Sequence, residues 1–267
     1  MQVERVGGRT LIPHPKAKAF PEPPDWPLDP DTLAANFICG FEHGNERIHP
    51  FFVMRSQLLK HVSITGQRVL AVTSAQPGNG KTHVAVNLAA ALSRIYPTVL
   101  MELDLRRPSI SQRLGLPRPQ PGVDDFLAGE ADWSATARKI QGFNLSIHCA
   151  RQPRVNAEDL LSSGRLAVAI EAIRARDDQA ICIIDTPPAL VDDDLTLIAR
   201  AVDGALMVVE EARTRKRALL DAVNALSPCP IVGSILNMSI SSPRPANDYK
   251  YYEGHKGAGR DEDREAR

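Results

Sequence analysis

The sequence predicts an α/β fold with a mostly parallel central sheet and helices on both faces. Six apolar runs of strand length carry that expectation: RVLAVTS (68–74), TVLMELD (98–104), LSIHCA (145–150), ICIIDTP (181–187), GALMVVE (204–210) and PIVGSIL (230–236). Helical patterns lie between them, the first being the alanine-rich THVAVNLAAAL (82–92). Continuously apolar strands alternating with helices indicate a sheet buried on both faces, because a half-exposed sheet would alternate polar and apolar residues. The second observation is a glycine-rich turn joining the first of these strands to that helix, the junction at which such sheets hold phosphate.

A chain of 267 residues, 43% of them apolar, can bury one full core, so one catalytic domain is expected over residues 46–240. The segment LIPHPKAKAFPEPPDWPLDP (11–30) is dense in proline, which opposes helix and leaves sheet edges unpaired. A flexible, extended arm is therefore expected over residues 1–45. From residue 241 the chain turns polar and ends in GHKGAGRDEDREAR, which buries too little to order itself, giving an expected flexible tail over 241–267. No internal repeat stands out.

Lys and Arg total 32 against 32 Asp and Glu, so the overall field gives no reason to expect nucleic acid or an anionic membrane surface as partner. Cys39, Cys149, Cys182 and Cys229 are scattered without zinc-ligand spacing and read as reduced structural thiols. The longest apolar runs are strand-sized, and the N-terminus lacks the charged-then-apolar order of a secretion signal. No membrane span is expected, and the chain is placed in the cytoplasm.

Residues Ala75–Thr82, AQPGNGKT, follow the strand 68–74 and open the helix, the context a phosphate loop requires. Gly78 and Gly80 can take positive φ, letting backbone N–H groups of the loop converge on phosphates, and Gln76, Pro77, Gly78, Asn79 and Gly80 are the expected ATP-binding residues of the turn. Lys81 adds a cation for the outer phosphates, Thr82 a hydroxyl suited to Mg2+, and His83 follows on the first turn. The expected ligand is Mg-ATP and the fold class a P-loop NTPase. Ala75 stands where the GxxxxGK[S/T] pattern has glycine, a methyl group tolerable where φ stays negative.

Asp185 closes the apolar strand of ICIIDTPP, the place where open α/β sheets bind ligands. It is read as a Walker B acid holding Mg2+ directly or through water, against the plainer role of capping the next turn. A second acidic strand end, VLMELDLRRP, offers Glu102 and Asp104, whose period-2 spacing predicts that both face one side. Asp104 is a candidate for Mg2+ or for the attacking hydroxyl. Arg106 and Arg107 are candidates for a phosphate contact, a subunit contact or a solvated surface pair.

Together these residues resemble the cytoplasmic ATPase domain of bacterial tyrosine autokinases of capsule and exopolysaccharide synthesis. The resemblance runs from about Pro50 to Asn237 and includes AQPGNGKT, ELDLRRP, GVDDFLAGEADW, VNAEDLLSS, IIDTPP, the later Asp194 and GSILN. It implies Mg-ATP as cofactor, Lys81, Asp104, Asp185 and Glu102 as catalytic residues, and Thr82, Asp104 and Asp185 around Mg2+. Asn237 would approach the adenine. It further implies a homo-oligomer, a separate membrane co-polymerase as activator, recruitment to the inner face of the membrane, and acceptor tyrosines on the tail. The tail itself supports that reading: three of the four tyrosines, Tyr249, Tyr251 and Tyr252, crowd into DYKYYEG.

Three positions depart from the family pattern: Ala75 for glycine, Glu102 for the first Asp of the second acidic motif, and His49 for the acid opening a helix in which Arg55 is kept. Two other functions fit the sequence. One is a partition or positioning ATPase, whose distinguishing loop lysine is replaced here by Gln76. The other is a nucleotide-binding scaffold without phosphate transfer.

Overall fold

In the computed structural model, residues 25–42, 46–118 and 120–240 are described. In chain order the elements are β1 (Asp25–Trp26), α1 (Pro30–Ala35), α2 (His49–Thr65), β2 (Val69–Ser74), α3 (Lys81–Ser93), β3 (Thr98–Glu102), α4 (Ile110–Arg113), α5 (Val123–Leu127), β4 (Arg138–Ile140), β5 (Leu145–His148), α6 (Ala157–Ser162), α7 (Arg165–Arg174), β6 (Ile181–Asp185), α8 (Asp194–Ala199), β7 (Gly204–Glu210), α9 (Lys216–Leu226) and β8 (Ile231–Asn237). The strands form one eight-stranded sheet in the order β1-β4-β5-β3-β6-β2-β7-β8. Every neighbouring pair is parallel except β4–β5. The expected α/β class is thus the observed one.

Helix α3 carries Val84–Leu92 into the core on nearly every side, because it lies between the sheet and α2. That burial explains its alanines: small side chains let the helix approach the sheet closely enough for Ala85, Ala89 and Ala90 to be fully enclosed. Strands β2, β3 and β6 are buried throughout, as their unbroken apolar runs require.

The arm expected over 1–45 does not extend as a unit. Residues 25–42 belong to the domain: Leu33, Ile38 and Phe41 are core residues, and β1 pairs with β4 at the sheet edge. The proline argument fails here because Pro30 sits in the first turn of α1, where no helical N–H is needed, with Asp29 capping Thr32 N–H at 3.1 Å. Asn87 then fastens the segment to α3, its Oδ1 accepting from the N–H groups of Cys39 and Gly40 at 2.8 Å each. Residues 1–24 lie outside the described residues. Among the described residues no helix is long and apolar enough to cross a membrane.

Candidate functional site

Three adjacent parallel strands, β3, β6 and β2, bring their carboxyl ends together, with Asp185 in register with Glu102 on one side and Val72 on the other. The phosphate loop leaves β2 between them. Gly78 and Gly80 both take φ +86°, and a Cβ on Gly80 would stand 2.1 Å from Asn237 Nδ2, so position 80 requires glycine for conformation and for room. Asn237, at the end of β8, donates that amide to Asn79 O at 2.9 Å. Asn79 is a further brace: its Oδ1 accepts from Gln76 N–H at 3.2 Å and its Nδ2 donates to Glu210 Oε2 at 2.9 Å. Ala75 is buried with a negative φ among Ala71, Ala189 and Leu195, so the methyl group that replaces glycine fills core space without strain.

A cavity of about 760 Å3 opens over the loop, lined by Pro77, Gly78, Gly80, Lys81, Thr82, His83, Asp104 and Asn237 among others. Gln76 is exposed and takes part through its backbone. Lys81 Nζ lies 2.6 Å from Asp104 Oδ2 and 3.9 Å from Asp185 Oδ1. Burial depresses the ammonium, but the charges of Asp185 and Asp104 outweigh it and hold Lys81 above its ordinary range. Asp185 is 1% exposed and neither carboxylate oxygen has a hydrogen-bond partner. Burial pushes it up to about 6, with the Lys81 charge opposing. His83 sits edge-on to Phe51 at 5.9 Å and is held below its ordinary range by burial and by the Arg113 charge.

Glu102 is not at the cavity. Strand β3 ends at this residue, so the period-2 rule does not carry through to Asp104, and the two acids diverge. Oε1 of Glu102 accepts from the N–H groups of Ser109 (2.5 Å) and Ile110 (2.8 Å), and Oε2 from Ala150 N–H (3.0 Å). The longer acid thus ties the first turn of α4 and the end of β5 to β3, a clamp in place of the catalytic role expected for it. Burial raises Glu102 to about 7 even against these bonds. Glu102→Asp, one methylene short of spanning three donors, is expected to destabilise the fold by about 2 kcal/mol and to give no gain in phosphotransfer. Thermal melts together with a phosphorylation assay check this.

Elsewhere the calculus is structural. Arg106 lines the cavity and is bound by Asp194 (2.7 Å) and Asp192 (3.2 Å), tethering the β3 loop to α8. His49 is exposed at the start of α2, and Arg55 donates to Ala91 O at 3.1 Å while lying 4.4 Å from the Phe52 ring centre. Tyr249, Tyr251 and Tyr252 fall outside the described residues. Asn79, expected among the ATP-binding residues of the loop, braces it instead through Gln76, Glu210 and Asn237, whereas Glu210 and Arg113 lie outside the residues the motifs mark. Glu210 was legible as a third acidic strand end, whereas nothing in a motif marks Arg113, which tertiary packing alone brings to the cavity.

A family model described as ParA, NUBPL iron-transfer P-loop NTPase, matches residues 65–265. The chain is 34% identical over 176 residues to the succinoglycan biosynthesis transport protein ExoP of Rhizobium meliloti, covering 64% of this chain and 22% of that protein. It is 30% identical over 188 residues to the tyrosine-protein kinase CpsD of Streptococcus pneumoniae serotype 4, covering 67% of this chain and 81% of that one. The solved kinase domain of VpsO superposes with a TM-score of 0.64 at 32% identity, over 78% of this chain and 95% of that domain. The chain thus spans under a quarter of ExoP and most of CpsD. With the phosphate loop and its facing acids in place, the chain belongs to the bacterial tyrosine-kinase family of ParA-type, nucleotide-binding P-loop NTPases.

Proposed function

We propose that the chain is an ATP-dependent protein-tyrosine kinase that phosphorylates its own Tyr249, Tyr251 and Tyr252 and thereby regulates capsular or exopolysaccharide polymerisation and export. The observation that carries this reading is the convergence of Lys81 and Asp104, which line one cavity over the phosphate loop, with Asp185 buried 3.9 Å from the Lys81 ammonium, in a chain related to proteins named tyrosine kinases.

The site fits Mg2+. Both carboxylate oxygens of Asp185 are buried without a hydrogen-bond partner, with Lys81 Nζ 3.9 Å from one of them, and Thr82 and Asp104 line the neighbouring cavity, an all-oxygen donor set. Mg2+ held there supplies neutralising charge for the outer phosphates. Loop N–H groups and Lys81 bind those phosphates, and Asn237 orients the nucleobase. When Lys81 turns to phosphate, Asp104 is released to accept the phenolic proton. The tyrosine oxygen then forms its bond to the γ-phosphorus as the bond to the β-phosphate oxygen breaks, and ADP leaves.

A homo-oligomer, a separate membrane co-polymerase as activator and recruitment to the inner face of the membrane belong to the same reading. Incubating the protein with labelled ATP and Mg2+, with and without a co-expressed co-polymerase, should place label on the tail tyrosines, mapped by mass spectrometry. Bound ATP with no label on any tyrosine under either condition would falsify the kinase reading and favour a scaffold.

A further inference from the structure

We propose that Arg107 and Arg113 form a second anion subsite of the cavity, which takes the carboxylates flanking the acceptor tyrosines in residues 247–253. The proposal rests on the kinase reading above and deepens it by naming what the acceptor side recognises.

The sheet order fixes which end of the cavity these arginines occupy. Asn237 closes β8, two strands from β2 on one side, while Asp104, Arg107 and α4 follow β3, two strands from β2 on the other. A nucleotide anchored at Asn237 and at the loop therefore directs its outer phosphates toward the α4 wall, from which the acceptor must come. Both arginines line the cavity there, and neither guanidinium has an ion-pair partner among the described residues, the Arg107 main-chain N–H alone donating to Asp104 Oδ1 at 3.1 Å. Arg113 Nε is buried with no hydrogen-bond partner, an arrangement that leaves a donor unsatisfied until a ligand arrives.

The other charges on this wall are already matched. Arg106 is held by Asp192 and Asp194, and Asp104 is held by Lys81. The Glu102 clamp on Ser109 and Ile110 fixes the first turn of α4, and with it the position from which Arg113 reaches inward. The tail supplies the complementary chemistry: Asp248 directly precedes Tyr249, Glu253 directly follows Tyr252, and Tyr251 lies between. A guanidinium receives a carboxylate through paired charge-assisted bonds, so a subsite of this kind fixes the register of the adjacent tyrosine.

Fluorescence anisotropy with a labelled peptide of residues 245–255 tests this, using the full chain with Asp248→Asn and Glu253→Gln in its own tail and a saturating non-hydrolysable ATP analogue. The native peptide should bind about tenfold tighter than one carrying the same two neutral substitutions. Arg107→Ala and Arg113→Ala should each weaken the native peptide about tenfold and leave the neutral one unchanged, with Arg113→Lys recovering part of the loss. Equal binding of the two peptides overturns the proposal. So do arginine variants that lose affinity for the triphosphate relative to ADP while binding both peptides as before, because the arginines would then serve the nucleotide. Arginine-dependent binding without phosphate on any tyrosine in a parallel ATP assay supports the subsite while overturning the kinase reading.

Discussion

Asp185→Asn is expected to stabilise the fold at neutral pH while removing phosphotransfer. The folded protein holds the Asp185 proton more tightly than the unfolded chain, since burial raises the carboxyl from its ordinary 3.8 to about 6. Stability tied to this group is therefore present at low pH and is lost as pH rises from about 4 through about 6. Above that range the buried charge, only partly offset by Lys81, costs at most about 3 kcal/mol, and an amide removes it. Melting temperatures should show the variant ahead of the wild type at pH 8 and level with it at pH 4. Phosphate transfer should fall by about 10^2-fold or more, because the oxygen donors that suit Mg2+ are halved and uncharged. A variant less stable than wild type at pH 8 would contradict the account of Asp185 as a strained, functional acid.

Lys81→Met is expected to act in the opposite sense on stability and still more severely on transfer. The ammonium is the counter-charge for Asp104 at 2.6 Å and for Asp185 at 3.9 Å. Removing it leaves two enclosed carboxylates facing each other, a loss of about 3–5 kcal/mol at pH 8. The loss should shrink as pH falls and Asp185, raised to about 6 by burial, takes up its proton, so melts at pH 5 and pH 8 give the slope directly. Transfer of labelled phosphate should drop about 10^3-fold, the scale expected when a cation serving the transferred phosphoryl group is lost. In the double variant with Asp185→Asn the stability loss should be smaller than the sum of the single effects, since both changes act on one charge cluster. Strict additivity would show that the two groups do not share a site.

Much of this molecule is legible in its sequence. Lys81, Thr82, Gly78 and Gly80 were fixed by a local motif whose chemistry depends on a strand–turn–helix context, and Asp185 by its place at a strand end. Local reasoning failed where distant segments meet. The proline-rich stretch looked like a free arm through residue 45, but Ile38 and Phe41 complete a core that only α3 and its neighbours create. Glu102 looked like a partner of Asp104, yet three backbone N–H groups from two later segments claim its carboxylate.

The sequence by itself determined the α/β class, the phosphate loop and the acids that face it, because each follows from periodicity or from contacts within a few residues. Only the tertiary structure decided what Glu102, Asn79, Glu210 and Arg113 do. Their partners lie in other elements, and the sheet order that brings β3 and β8 to opposite sides of the loop is set by packing between segments far apart in the chain.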